Sequence, residues 1–358
     1  MHNHNETILY VDLNKLKHNF NFFKSKLRKS TKIICVVKAY AYGHGDIRIS
    51  KALEKLNIYG LWVTDFEEGV VLRKSGVRSR IIVANPGIKS YEQILKYNLD
   101  IVIYNKTLLD LYCSKKKPVN VHIKLNTGMN RYGFNSHEIT SVCEKLNSSP
   151  HLNVLSVCSH LACADKKDLK DFTLNQLKKF SSISNVFEKK INKKLLKHIL
   201  NSSGVLNYSS FQMDMVRIGI GLYGSMKNEN LLPISSLSSV ITQTRIIEKG
   251  DFVGYGFSFC SNKKMQISIV PVGYADGLNR KLSNGVGKVI INGRICKIVG
   301  KISMGTFAID TSEVNVSEGQ KIEVFGDSLS VYSIARSLNT IPYEIYSTLN
   351  RRIKRIYL

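Results

Sequence analysis

Long apolar runs, acidic side chains and paired cysteines are what this chain has little of. No stretch approaches the ~18 uninterrupted apolar residues of a membrane-spanning helix, so no membrane partner is expected. The opening Met1-His2-Asn3-His4-Asn5-Glu6 lacks the basic-then-apolar plan of a secretory signal, which predicts a cytoplasmic protein. Six prolines and a hydrophobic fraction of 43% argue against a disordered or collagen-like chain. The seven cysteines are odd in number, show no C-x-x-C spacing and sit mostly inside apolar runs such as Ile34-Cys35-Val36, as reduced core residues do. That pattern argues against a disulfide framework or a zinc ribbon, and no metal is expected.

Acidic residues number 27 against 52 basic ones, a net charge of +25 that raises the question of a nucleic-acid partner. The lysines, however, are spread in pairs and triplets such as Lys115-Lys116-Lys117 and Lys193-Lys194, and do not interleave with aromatics as a base-stacking surface would. A solvated basic surface without nucleic acid is the reading adopted. The densest patch, Arg351-Arg352-Ile353-Lys354-Arg355, reads as a strand whose basic side chains face solvent or a partner subunit.

What the chain does have is alternation. At 358 residues it is about 2.4 times the ~150-residue prior for one domain, so two domains are expected. Short β-branched runs at 32–37, 58–63, 80–84, 100–104, 119–125, 154–159, 197–200 and 213–218 alternate with helical patterns such as 46–56, 66–74 and 168–189. Eight such units most economically close into a (β/α)8 barrel, giving an α/β fold with its first domain at 1–228. From about Asn230 the pattern turns to period-two alternation, with Asn292-Gly293 as a hairpin turn, so residues 229–358 read as a mainly-β domain with one short helix at 331–338.

Each apolar run yields at its carboxyl end to a polar or reactive residue: Lys38, Thr64, Asn85, Asn105, Asn126, His160, Asn201 and Arg217. Barrel active sites lie at that end. Lys38 follows the buried run Ile34-Cys35-Val36-Val37, where an ammonium is poorly solvated and a lowered pKa suits Schiff-base formation with an aldehyde. On the other side, Asn201-Ser202 and the glycines of Arg217-Ile218-Gly219-Ile220-Gly221 offer backbone N–H groups to an anion. A reactive lysine facing a phosphate cradle suggests a phosphorylated aldehyde, pyridoxal phosphate. His44, flanked by two glycines, reads as a turn or supporting residue.

Five motifs stand in order along the chain: V-K-A-x-A-Y-G-H-G from Val37, T-G-M-x-R-x-G from Thr127, S-H-x-A-x-A-D from Ser159, R-x-G-I-x-L-Y-G from Arg217 and G-Y-A-D-G-x-x-R from Gly273. In these residues, from about Tyr10 to Tyr357, the chain resembles the bacterial alanine racemases. The resemblance implies an isomerase that interconverts L- and D-alanine with pyridoxal phosphate, works as a homodimer and supplies D-alanine for peptidoglycan. It makes Lys38 the cofactor-bearing lysine and one catalytic base, and Tyr255, from the neighbouring subunit, the second base on the opposite face. It places Arg217 at the pyridine nitrogen, and Tyr42, Ser202, Gly219, Ile220 and Tyr343 at the phosphate, with Asn201 beside them. His160 would hydrogen-bond Arg217; Arg131 and the Met304 backbone would meet the substrate carboxylate; Tyr274 would flank its approach. Lys124 falls where many members carry a lysine carbamylated by CO2. Three departures stand out: Asn126 for a frequent Asp, Asn130 for a usual Gly, and Gly305 for a usual Asp. The last could widen the pocket, so a broad-specificity amino-acid racemase on the same fold is the alternative.

Overall fold

The computed structural model describes residues 6–358; the reading of the opening segment rests largely on residues 1–5, which lie outside the described residues. Strands β2 (Lys32–Val36), β3 (Gly60–Val63), β4 (Ile81–Val83), β5 (Asp100–Ile103), β6 (Val119–Lys124), β7 (Leu152–Cys158), β8 (Leu196–His198) and β9 (Met215–Ile218) pair in parallel in the order β8-β7-β6-β5-β4-β3-β2-β9. The Arg217 N–H donates to the Leu200 carbonyl at 3.0 Å across the β8–β9 seam, so the sheet curls into the expected barrel. These strands lie within two residues of the predicted ones at every end; the largest trims include β9, which leaves Met213 and Asp214 to the preceding loop.

Helices fill the crossovers because their ends are written locally. In Phe66–Lys74, Asp65 caps the Glu68 N–H, acidic residues occupy the first turn, and Arg73 and Lys74 occupy the last. Asn105 and Asn201 cap the helices Lys106–Ser114 and Ser202–Asn207 in the same way. Among the described residues no helix is long and apolar enough to cross a membrane.

Both faces of each barrel strand are buried, so alternate residues enter two different environments. One set packs outward against the helices. The other fills the barrel with Ile34, Val36, Trp62, Ile82, Val102, Cys158 and Met215 on one side, and with the buried polar residues Asp100, His122, Ser156, His198 and Arg217 on the other.

The remaining strands are β10 (Ser235–Val240), β11 (Gln243–Ile247), β12 (Phe252–Val253), β13 (Phe259–Cys260), β14 (Met265–Val270), β15 (Lys288–Ile291), β16 (Arg294–Val299), β17 (Phe307–Asp310), β18 (Lys321–Phe325) and β19 (Lys354–Tyr357), together with β1 (Ile8–Val11) from the start of the chain. Except for the β12–β13 ribbon they join a nine-stranded sheet, ordered β11-β14-β17-β16-β15-β18-β10-β1-β19. The hairpin between β15 and β16 turns at Asn292 and Gly293, both with positive φ, as a two-residue I′ turn requires. In this sheet β1 pairs antiparallel with β10 and parallel with β19. That strand and the helix Pro342–Ser347 go beyond the sequence-based expectation; the helix opens on a proline at its first position, where no N–H is needed.

Candidate active site

The turn after β2 is built against the intrinsic preference of its residues. Ala39, Tyr40, Ala41 and Tyr42 all lie at φ between +51° and +56°, a left-handed helical turn of four side-chain-bearing residues directly after Lys38. Each costs roughly 1–2 kcal/mol over the right-handed form, so the surrounding contacts must hold the turn. Glu68 accepts the Ala39 N–H at 2.6 Å with one oxygen and the Thr64 N–H at 2.7 Å with the other, tying the turn to the end of β3. Gly43 closes it at φ +82°, where a Cβ would sit 1.9 Å from the Tyr346 carbonyl oxygen.

In the basic run at the C-terminus Arg351, Arg352 and Lys354 are exposed, as expected of a solvent- or partner-facing stretch, but Arg355 turns inward and supplies the rest of this clamp. Arg355 is buried and donates to the Gly43 carbonyl at 2.9 and 3.1 Å, and to the carbonyls of Leu349, Asn350 and Ile353. Arg351 and Arg355 lie 4.7 and 5.2 Å from the Tyr40 ring, and the Tyr357 hydroxyl donates to the His44 carbonyl at 3.0 Å. His44 is itself buried, with Nε2 2.9 Å from the Ser235 hydroxyl and its ring stacked on Tyr223.

A cleft of about 720 Å³ opens at the carboxyl ends of the strands. It brings together Lys38 and Tyr42 from β2, Lys124 and Arg131 from β6 and its loop, His160 after β7, Asn201 and Ser202 after β8, Arg217, Gly219 and Ile220 from β9, and Tyr343 from the C-terminal part. At its β8–β9 side the Ser202 hydroxyl accepts the N–H groups of Gly219 and Gly221 at 3.1 and 3.3 Å. A Cβ on Gly219 would lie 2.7 Å from the Tyr42 hydroxyl, so only glycine leaves this cradle open. Asn201 acts as a helix cap, its side chain accepting the Gly204 N–H at 2.9 Å. Burial keeps the Tyr42 phenol protonated and pushes Tyr343 up to about 12, so both remain donors.

The charge balance of the cleft is one-sided. Lys38, Lys124, Arg131 and Arg217 line it, and among the described residues none of the four forms an ion pair. Burial lowers the Lys38 pKa and Arg131 lowers it further, with Glu68 opposing. Burial brings Lys124 down to about 8; Cys158 opposes this, and Arg217, Arg131 and Lys38 reinforce it. Arg217 sits 5.2 Å over the Trp62 ring and bonds the His198 Nδ1 at 2.5 Å and the His160 Nδ1 at 3.2 Å. A lysine that can be neutral, further cations without acidic partners and a hydroxyl-lined glycine cradle fit an aldehyde carrying a phosphate, a phenolate and a bound carboxylate.

Asn126 organises the loop that carries Arg131. Its carbonyl accepts the N–H groups of Gly128 and Asn130, and its amide donates to the side-chain oxygens of Asn130 and Asn135 at 2.9 and 3.0 Å. Asn130 occupies φ +55°, which explains how it can stand in for a glycine. The two departures from the family pattern thus support each other. Gly305 faces open space, with no atom within 4 Å of where a Cβ would stand.

Three predicted site residues lie outside this cleft. Tyr255, Tyr274 and Met304 are on the C-terminal part and are 69%, 44% and 62% exposed. Tyr255 shares its segment with the exposed rings of Phe252 and Phe257, which pack on each other. Tyr274 and Met304 belong to loops that touch, the Ala275 N–H donating to the Met304 carbonyl at 3.0 Å. Two residues around the cleft escape the sequence reading. Glu68 looks like an ordinary first-turn carboxylate, and His198 is a polar residue inside a short strand whose only signal is its place near the Asn201 strand end.

Barrel, lysine, glycine cradle and buried arginine together define a pyridoxal-phosphate enzyme of the barrel-plus-β-domain class. Family models described as "Alanine racemase, N-terminal domain" and "Alanine racemase, C-terminal domain" match residues 11–227 and 234–357. The chain is 36% identical over 363 residues to an alanine racemase of Halothermothrix orenii, covering 97% of this chain and 95% of that one. It superposes on an alanine racemase of Clostridium difficile 630 with TM-score 0.92 at 28% identity, covering 100% and 97% of the two chains. A Bartonella henselae alanine racemase with covalently bound pyridoxal phosphate gives TM-score 0.89 at 27% identity, with 99% and 100% covered. The chain belongs to the alanine racemase family, and its cofactor is pyridoxal phosphate.

Proposed function

We propose that this protein interconverts L- and D-alanine with two bases on opposite faces of the substrate, Lys38 of one subunit and Tyr255 of a second copy, and that it supplies D-alanine for peptidoglycan from the cytoplasm. Bound, pyridoxal phosphate supplies an electron sink that acidifies the amino acid's Cα–H. Lys38 holds the aldehyde, and Tyr42, Tyr343, Ser202 and the N–H groups of Gly219 and Ile220 hold the phosphate. Arg217 would face the pyridine nitrogen, where its fixed charge would keep that nitrogen from taking a proton and limit side reactions. Arg131 and the Met304 N–H orient the substrate carboxylate, Tyr274 lines its approach, and His160 braces Arg217. Lys124, as a carbamate, would hold Arg131 by charge.

Racemisation needs a proton removed on one face and returned on the other, because a single base tends to return it to the side it came from. Lys38 provides the first base, its burial favouring the neutral amine. The observation that carries the reading is that Tyr255, 69% exposed, sits outside its own chain's cleft among exposed aromatic side chains, as a residue would that completes a partner's site. The test is a mixed dimer. Lys38→Ala and Tyr255→Phe homodimers should each be nearly inactive, while their heterodimer has one site with both bases and should recover activity. Purified heterodimers as inactive as the parents would refute the shared site. In D2O, loss of optical rotation from L-alanine must run in step with α-deuterium incorporation; a cofactor band without exchange would refute racemisation.

A further inference from the structure

One side of the barrel interior is polar from its floor to its mouth. Asp100, His122, Ser156, His198 and Arg217 come from five neighbouring strands, and each is at most 5% exposed. Arg217 contacts the His198 Nδ1 at 2.5 Å; the His198 Nε2 lies 3.1 Å from the Ser156 hydroxyl; that hydroxyl lies 2.6 Å from the His122 Nδ1; the His122 Nε2 lies 3.3 Å from an Asp100 carboxylate oxygen. The far end is anchored, since Asp100 also pairs with Arg80 and accepts from the Asn120 amide at 3.0 Å.

The direction of every bond follows from its ends. A guanidinium can only donate, so the His198 Nδ1 accepts and its ring proton is on Nε2. That N–H donates to the Ser156 oxygen, which leaves the hydroxyl free to donate to the His122 Nδ1 at 2.6 Å. His122 in turn carries its proton on Nε2 and donates to the Asp100 carboxylate, which can only accept. The chain is satisfied at every link with both imidazoles neutral, and it joins a buried cation that has no adjacent carboxylate to a buried anion at the barrel floor.

We propose that Asp100, His122, Ser156 and His198 are positioning residues: a one-directional hydrogen-bond chain that, beside the Ser159 and Ile199 carbonyls, holds the Arg217 guanidinium in one orientation. Its role in the reaction rests on the reading that places Arg217 at the cofactor nitrogen. A carboxylate in direct contact would neutralise the arginine's field at the cofactor; the neutral links fix the donor geometry without one, and the Asp100 charge at the far end is met by Arg80.

The first test needs no variant. In histidine-selective 15N spectra of the holoenzyme, His198 and His122 should both be neutral with the proton on Nε2. Either ring protonated on Nδ1, or on both nitrogens, overturns the chain. The second test cuts it in the middle. Ser156→Ala and His122→Leu holoenzymes should show a shifted absorption band of the bound cofactor and a kcat about tenfold lower, with KM changed less than about twofold. His122→Gln, which offers an acceptor and a donor in the same sense, should restore both. Arg217→Met is the reference arm, and far-UV circular dichroism with a thermal melt, which does not depend on the Trp62 ring beneath Arg217, reports whether each variant is folded. A band that moves in Arg217→Met but not in folded Ser156→Ala and His122→Leu overturns the chain. A band unmoved even in Arg217→Met overturns the placement of Arg217 instead, and the ring tautomers still decide the chain.

Discussion

Replacing Lys124 by Met should turn a pH-dependent liability into a constant. The side chain is mostly buried among Arg131, Arg217 and Lys38, and its pKa falls from 10.5 in the unfolded chain to about 8 in the folded one. Below pH 8 both states carry the proton and folding bears the full cost of the buried ammonium; between 8 and 10.5 the folded state releases a proton that the unfolded state keeps, so stability rises with pH. The shift corresponds to about 3 kcal/mol at neutral pH, of which about 2–3 kcal/mol should be regained between roughly pH 7 and pH 10. Urea denaturation of cofactor-free wild type and Lys124→Met, in CO2-free buffer, isolates the effect, because every other group titrates in both proteins. The difference in unfolding free energy between them should shrink by that amount across the interval. Bicarbonate at about pH 8 should then stabilise the wild type alone, since a carbamate replaces the repelled cation with an anion facing three cations. Parallel pH profiles for the two proteins would refute the buried-cation argument, and no bicarbonate effect would refute the carbamate.

Three further outcomes follow from the geometry. Gly219→Ala drives a Cβ to 2.7 Å from the Tyr42 hydroxyl, and overpacking of about 1–3 kcal/mol should weaken pyridoxal phosphate binding about tenfold, read by quenching of Trp62; the open position Gly305→Ala should leave it unchanged. Arg355→Met removes the side-chain donor to the buried carbonyls of Gly43, Leu349 and Ile353, while the Asn350 carbonyl keeps the Ile353 N–H, and should lower unfolding stability by about 3 kcal/mol and cofactor affinity with it, as the left-handed turn loosens. Asn126→Asp cannot donate to Asn130 and Asn135, so the Arg131 loop loses two hydrogen bonds, and KM for alanine should rise about three- to tenfold with kcat nearly unchanged.

The cleft is legible in the sequence where its chemistry sits at strand ends. Each apolar run that closes on a polar residue marks a side chain that the parallel barrel delivers to one mouth, and Lys38, Thr64, Asn85, His160, Asn201 and Arg217 line that cleft; Tyr42, Lys124, Arg131 and Tyr343, which join them there, were expected only from the family resemblance. The same local logic locates the helix caps and the Asn292-Gly293 turn, since both are written in residues that touch their neighbours in sequence.

Contacts between distant segments have no such signature. β1 reads as an unremarkable apolar stretch until β10 and β19, more than 220 residues away, offer it hydrogen bonds. The left-handed turn after Lys38 contradicts the preference of four ordinary residues and exists because Glu68, Tyr346 and Arg355 converge on it, which makes Arg355 the inward-facing clamp of an otherwise exposed basic run. The polar chain from Asp100 to Arg217 needs five strands in register before its atoms come within hydrogen-bond distance. Residue types and their periodicity therefore determined the barrel, the reactive lysine and the phosphate-binding strand ends, because those depend on local pattern. The backbone strain, its clamp and the support of Arg217 were decided by tertiary structure, because they depend on which distant groups meet.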